Sequence, residues 1–204
     1  TTELSVKLQH PIYEDGVLET SEGGIIEGDN LRIQARKSRY SKKVDHGLFI
    51  NRIEAEGDIL VVYHSQIFTA QKLVFDFDKQ MGVLYDGRTQ VGVWFIGGDQ
   101  IELESDGGFQ ITNAWVTTSE NQDVSWRVKA FLINISKDKI LKAKNIKFEW
   151  FSMPLFWLPS YKLNLNLFRS SPVKYKLTWD KGLGPRATMR YLIYGSKYSD
   201  IYLR

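Results

Sequence analysis

The alternation of apolar and polar residues slips by one position at three places in this chain, and each slip falls beside an alanine. With Ala35 set against Ala70, an offset of 35, Ile33 falls on Phe68, Lys37 on Lys72, Tyr40 on Phe75 and Gly47 on Gly82. Ala130 begins a third copy, with Val128 before it and Ile133 and Ile135 after it. In each copy an apolar residue lies two before the alanine and another five after it. That interval is odd, so a regular strand would turn half of its apolar set to the wrong face. A bulge or corner at the alanine keeps both halves facing inward, with a small side chain on the tight side of the bend. A recurring unit of this kind commits the chain to β-structure built from equivalent bent strands.

The remaining pattern agrees. Helical periodicity is almost absent, and short alternating runs such as Leu31–Ile33, Ile59–Tyr63, Leu73–Phe77 and Ile101–Glu104 read as strands. Turn signals fall at Gly23-Gly24, Gly28-Asp29-Asn30, Glu56-Gly57-Asp58, Asp86-Gly87, Gly97-Gly98-Asp99 and Asp106-Gly107-Gly108. Short, evenly spaced strands predict an all-β sandwich, jelly roll or related fold. The 204 residues allow one large domain, or one with a small appendage. An apolar share of 43% excludes wholesale disorder. A net charge of +3 is too small for a nucleic-acid partner but admits an anionic one. With no cysteine there is neither a disulfide framework nor a thiolate metal site. The longest apolar run, Phe151–Leu158, is broken by Pro154 and falls far short of the roughly 20 residues of a membrane helix.

The C-terminal part has its own pattern. Val173, Tyr175, Leu177 and Trp179 alternate with Lys174, Lys176, Thr178 and Asp180. After the turn Gly182–Pro185, Ala187, Met189, Tyr191 and Ile193 alternate with Arg186, Thr188 and Arg190. One apolar and one charged face is the pattern of a transmembrane β-hairpin, and equally of an amphipathic hairpin packed on a soluble sheet. A lone hairpin leaves unpaired edges in lipid, so the first reading makes this segment the start of a longer barrel.

Catalytic chemistry is hard to find. His10, His46 and His64 have no partners at ligand spacing. The acid pairs Glu54/Glu56, Asp76/Asp78 and Glu102/Glu104 share a strand face, where a cation site competes with an ordinary wet surface. The glycine turns lack the strand–glycine–helix setting of a phosphate loop, and no serine has a nucleophile-elbow context. The basic run Arg36–Lys43 offers phosphate contacts, or simply a solvated loop or lysine-guarded edge. The expectation is a non-enzyme with no cofactor and no metal.

Trp126-Arg127-Val128-Lys129-Ala130, then Ile133-Asn134-Ile135 and Ala143-Lys144-Asn145, lead into Met153-Pro154-Leu155-Phe156-Trp157-Leu158-Pro159. This order resembles the end of the periplasmic domain of the lipopolysaccharide-assembly outer-membrane family LptD, also called OstA. Asn113–Thr118 resembles the strand that precedes its tryptophan, and the copies around Ala35 and Ala70 resemble the repeat shared with the periplasmic bridge proteins. The likeness spans roughly 20–194 and is densest over 110–160. One departure is Ser119, where the family often carries a cysteine.

The resemblance implies an open V-shaped β-jelly roll of OstA-like repeats over residues 1–160, followed over 161–204 by a linker and the first strands of an outer-membrane β-barrel. Residues 1–160 would face the periplasm of a Gram-negative cell. The jelly roll would carry lipopolysaccharide acyl chains. Its partners would be a bridge protein added by edge-strand pairing, a lipoprotein plug and the outer membrane itself. Each methylene shielded from water contributes about 0.8 kcal/mol, so the cargo needs a long apolar lining. The lining candidates are Leu31, Ile33, Val61, Phe68, Phe75, Leu103, Ile111, Trp126, Val128, Ile133 and Ile135. The alternatives are a free-standing periplasmic bridge protein and a carbohydrate-binding jelly roll using Trp94, Trp115 or Trp126.

Overall fold

A computed structural model describes residues 4–118 and 126–167, together with the backbone of three strands within 173–203. The strands are β1 (Ser5–Leu8), β2 (Ile12–Glu14), β3 (Val17–Thr20), β4 (Gly24–Gly28), β5 (Leu31–Ala35), β6 (Lys37–Asp45), β7 (Leu48–Tyr63), β8 (Gln66–Asp76) and β9 (Met81–Val91). There follow β10 (Trp94–Leu103), β11 (Phe109–Thr117), β12 (Trp126–Ile135), β13 (Ile140–Trp150), β14 (Met153–Asn164), β15 (Val173–Asp180), β16 (Gly184–Tyr194) and β17 (Asp200–Leu203). The protein is all-β. The first fourteen strands form one antiparallel sheet that does not close, and β15–β16–β17 form a second, three-stranded sheet.

From β7 onward the strands are long, nine to sixteen residues in the large sheet, and each is bent in its middle. The bend is legible in the register. Residues Asp86 and Asp99 are skipped between paired neighbours on β9 and β10. The same happens at Asn113 and Phe131 between β11 and β12, at Phe131 and Asn145 between β12 and β13, and at Asn145 and Pro159 between β13 and β14. On β7, Gly57 and Asp58 stand opposite the single residue Gln71 of β8, a two-against-one bulge. These positions form one continuous crease across the sheet.

The residue types explain the crease. On alternate strands its residue is Asp58, Asp86, Asn113 or Asn145, all in the left-handed region with φ of 47°, 51°, 49° and 51°. Among non-glycine residues, Asp and Asn tolerate that region best, because their short side chains satisfy local backbone groups. Pro159 has no N–H to offer a ladder and occupies a skipped position on an edge strand. On the inner side sit small residues: Ala35, Ala70, Gly87, Gly98, Ala114 and Ala130. A Cβ at Gly98 would lie 2.5 Å from Ile111 Cγ2 and 2.7 Å from the Thr112 carbonyl oxygen, so nothing larger than hydrogen fits there.

The predicted slips at Ala35, Ala70 and Ala130 are therefore three points of a longer row. Buried residues run Phe68, Ala70, then Leu73, Phe75 on β8, and Ala130, then Ile133, Ile135 on β12. The same slip recurs on β10 (Gly98 to Ile101), β11 (Ile111 to Ala114) and β13 (Ala143 to Ile146). Gly98 is the small residue of a further copy on a strand running the same way as β8 and β12. Three predicted turns are corrected: Glu56-Gly57-Asp58, Asp86-Gly87 and Gly97-Gly98-Asp99 lie inside strands, at the crease. Gly28-Asp29-Asn30 and Asp106-Gly107-Gly108 do separate strands. The basic run is not a loop. Lys37–Asp45 is β6, paired with β7 along its length and with β3 through Ser38–Ser41.

Folding about the crease brings the two halves of the sheet face to face. Phe68, before the crease on β8, meets Phe109 of β11 edge to face at 5.0 Å, although these strands are not neighbours. Tyr63 meets Phe75 at 5.7 Å in the same way. One apolar core fills the space between the halves.

Candidate functional site

The interior is fastened on one side and open on the other. The turn joining β7 to β8 closes the first side. The Tyr63 hydroxyl reaches across to the carbonyls of Gln80 and Glu104, at 2.9 and 2.8 Å, which belong to the loops after β8 and β10. Burial, and secondarily the Asp106 charge, pushes its pKa up to about 12. Lys139, in the loop after β12, donates to Gln66 Oε1 at 3.0 Å. Gln66 in turn donates to Thr89 Oγ1 and the Gln90 carbonyl. Desolvation holds the Lys139 ammonium below the usual lysine pKa. Three loops of one half are thus tied to one hairpin of the other.

Towards β14 the cover thins. Trp94 and Trp126 meet edge to face at 6.3 Å, Trp126 stacks on Phe148 at 6.2 Å, and Phe148 stacks on Phe156 at 5.0 Å. The row starts at half-buried Trp94 and ends at Phe156, 53% exposed. Strand parity puts Phe148, Phe156 and Leu158 on the inward face, yet among the described residues no further strand of the large sheet lies beyond β14 to cover them. At this end the crease residues are also large, Ile146 and Leu158 in place of alanine or glycine. The result is a partly exposed apolar edge that continues the core.

Nine of the predicted lining residues lie in that core: Leu31, Ile33, Val61, Phe68, Phe75, Leu103, Ile111, Ile133 and Ile135. Trp126 and Val128 are half-buried, Trp126 within the aromatic row and Val128 packed against the core. Sequence reasoning missed Phe148 and Phe156. The signal is present in plain alternation, since Phe148 lies two after Ile146 and Phe156 two before Leu158, but a Pro-aromatic segment reads as a motif before it reads as a strand. Trp115 points to the outer face, where the guanidinium groups of Arg88 and Arg127 lie 5.4 and 5.7 Å from its ring.

The other candidates have ordinary surroundings. His10 meets Glu22 at 2.5 Å, His46 meets Asp45 at 2.7 Å, and His64 packs on Tyr63. Glu54 pairs with Arg52 at 3.1 Å, and Asp76 accepts the turn amides of Asp78 and Lys79. Arg39 of the basic run pairs with Glu19 at 3.1 Å. Among the described residues, no three His, Asp or Glu side chains gather as a metal site would require.

The C-terminal pattern also forms strands. β15 and β16 pair antiparallel with Val173 opposite Tyr191, Tyr175 opposite Met189 and Leu177 opposite Ala187, and β17 adds to β16. The predicted apolar residues thus stand in line across the hairpin. The faces of this sheet and the departure at Ser119 lie outside the described residues.

Neither protein-family models nor characterised proteins give a match to this sequence.

Proposed function

We propose that this chain carries lipopolysaccharide toward the outer membrane, holding the acyl chains in its creased apolar interior while sugars and phosphates stay in water. The single observation that carries the reading is the aromatic row Trp94–Trp126–Phe148–Phe156, which leads without a polar break from the filled core to an uncovered edge. An acyl chain needs such a surface: continuous, apolar and indifferent to sequence. In this reading residues 1–160 are an open V-shaped jelly roll of OstA-like repeats, and β15–β17 begin a barrel that receives the cargo. The cargo enters between the half-sheets at the β14 edge and displaces side-chain contacts on the way to Phe75 and Ile133. A periplasmic bridge protein adds to an N-terminal edge strand, β1 or β2, each of which has a single sheet neighbour. The arrangement of the tryptophans favours acyl chains over stacked sugars, because Trp94 and Trp126 pack edge to face on each other and Trp115 carries two arginines.

The test is photo-crosslinking in cells from a probe at Phe75 or Ile133. Adducts with lipopolysaccharide at both positions, and none at the outward-facing Asp76, support the reading. Adducts at Asp76 alone overturn it.

A further inference from the structure

The modest net charge conceals a strong asymmetry. Residues 4–118 hold 17 Asp and Glu against 11 Lys and Arg, whereas residues 126–167 hold two against eight. Strand parity puts six of those eight on the outer face of β12–β14: Arg127, Lys129, Lys142, Lys144, Lys147 and Lys162. The register sets Lys129 directly opposite Lys147, and Lys142 directly opposite Lys162. Like charges in facing positions repel and destabilise a sheet. Glu149 relieves Lys129 at 3.2 Å. Among the described residues, none of Lys142, Lys144, Lys147 and Lys162 forms an ion pair. An anionic partner covering this face would remove the repulsion.

An apolar strip borders the lysines. Trp157 stands opposite Lys147 and is 57% exposed, and Leu155 lies on the same strand. The β13–β14 turn is Phe151-Ser152, with φ of 46° and 64°. Two-residue turns with both residues left-handed strongly prefer Asn-Gly, and a bulky residue there is strained. Phe151 is nevertheless 65% exposed, flanked by the exposed Trp150 and Met153. Its ring meets the Trp150 ring edge to face at 5.5 Å, and both rings stand in water. Basic residues beside exposed aromatics match a membrane interface, where lysines meet phosphates and rings enter the headgroup boundary.

We propose that the outer face of β12–β14 docks on the surface of an anionic phospholipid bilayer, with Phe151, Leu155 and Trp157 entering the headgroup boundary. This assigns a second lipid contact, on the opposite face from the interior cargo site, and does not depend on that site.

The experiment is co-sedimentation of the full chain with vesicles of phosphatidylcholine alone or of phosphatidylcholine with phosphatidylglycerol. Binding is expected only to the anionic vesicles and to fall as salt shortens the screening length. Each lysine near such a surface strengthens binding about fivefold, so Lys142→Gln, Lys144→Gln, Lys147→Gln and Lys162→Gln together weaken it about a hundredfold or more. Phe151→Asn separates docking from folding: asparagine suits the turn, so stability holds or rises while vesicle binding drops severalfold. Equal binding to neutral vesicles, a quadruple variant that binds like the parent, or Phe151→Asn with undiminished binding would each overturn the proposal. Capture of free lipopolysaccharide without vesicle binding also contradicts it, and reassigns the lysines to the cargo's phosphates. Interior crosslinks at Phe75 and Ile133 report separately, so either result stands without the other.

Discussion

Asp86 and Asn145 offer a test of the crease in which the sign of an effect, not merely its size, decides. Both are exposed, in mid-strand by sequence position, and left-handed at φ 51°. At an ordinary exposed strand position valine is preferred over glycine, by up to about 1 kcal/mol. In the left-handed region the order reverses, because a side chain at Cβ meets the following carbonyl at a cost of roughly 1–2 kcal/mol and glycine does not. Valine at position 86 or 145 is therefore expected to be less stable than glycine there by about 1–2 kcal/mol. Glu102, exposed on β10 away from the crease, supplies the control, with valine at least as good as glycine. The assay is urea denaturation followed by tryptophan fluorescence, with unchanged slopes showing that only stability has moved. If valine equals or exceeds glycine at both 86 and 145, the strands pass these points straight and the crease does not exist.

Further expectations follow from the same contacts. Gly98→Ala drives a methyl group against the Thr112 carbonyl and should cost about 1–3 kcal/mol, whereas Gly28→Ala, with only Leu4 near at 3.4 Å, should change stability by less than about 0.5 kcal/mol; the same denaturation series compares them. Tyr63→Phe removes the hydroxyl that spans the half-sheets and should cost about 1 kcal/mol near neutral pH. Because its folded pKa is raised, Tyr63 contributes stability fully below its unfolded value of 10.0 and loses it as pH climbs toward about 12. Denaturation midpoints should therefore fall across that window more steeply for the parent chain than for Tyr63→Phe. Tyr40, raised by burial and then by Asp78, adds a loss of the same sign in both proteins.

Much of this architecture was legible in the sequence because alternation reports which face each residue takes. The slip at Ala35, Ala70 and Ala130 already demanded a bend, and the bend is there. What misled was local chemistry with two meanings. Asp86-Gly87 and Gly97-Gly98-Asp99 carry residues that favour left-handed or cramped backbone, and such residues make hairpin turns and strand creases alike. Only the partner strand decides between them, and pairing is a long-range property. For that reason long bent strands were read as pairs of short ones, and the copy centred on Gly98 went unseen. The lining list captured core positions because inward parity is a local signal. Which part of the core reaches the edge depends on where the sheet stops, and so Phe148 and Phe156 were missed. Charge asymmetry was equally hidden, since the total of +3 averages an acidic stretch with a basic one.

The most direct test of the central claim compares binding of lipopolysaccharide with binding of the same molecule stripped of its acyl chains. If the interior holds acyl chains, the intact lipid binds and shifts the emission of the tryptophan row, while the deacylated sugar-phosphate leaves it unchanged and binds at least a hundredfold more weakly, about 2.7 kcal/mol. Equal affinity for the two would place recognition on the sugars and phosphates, and would contradict a lipid-carrying interior.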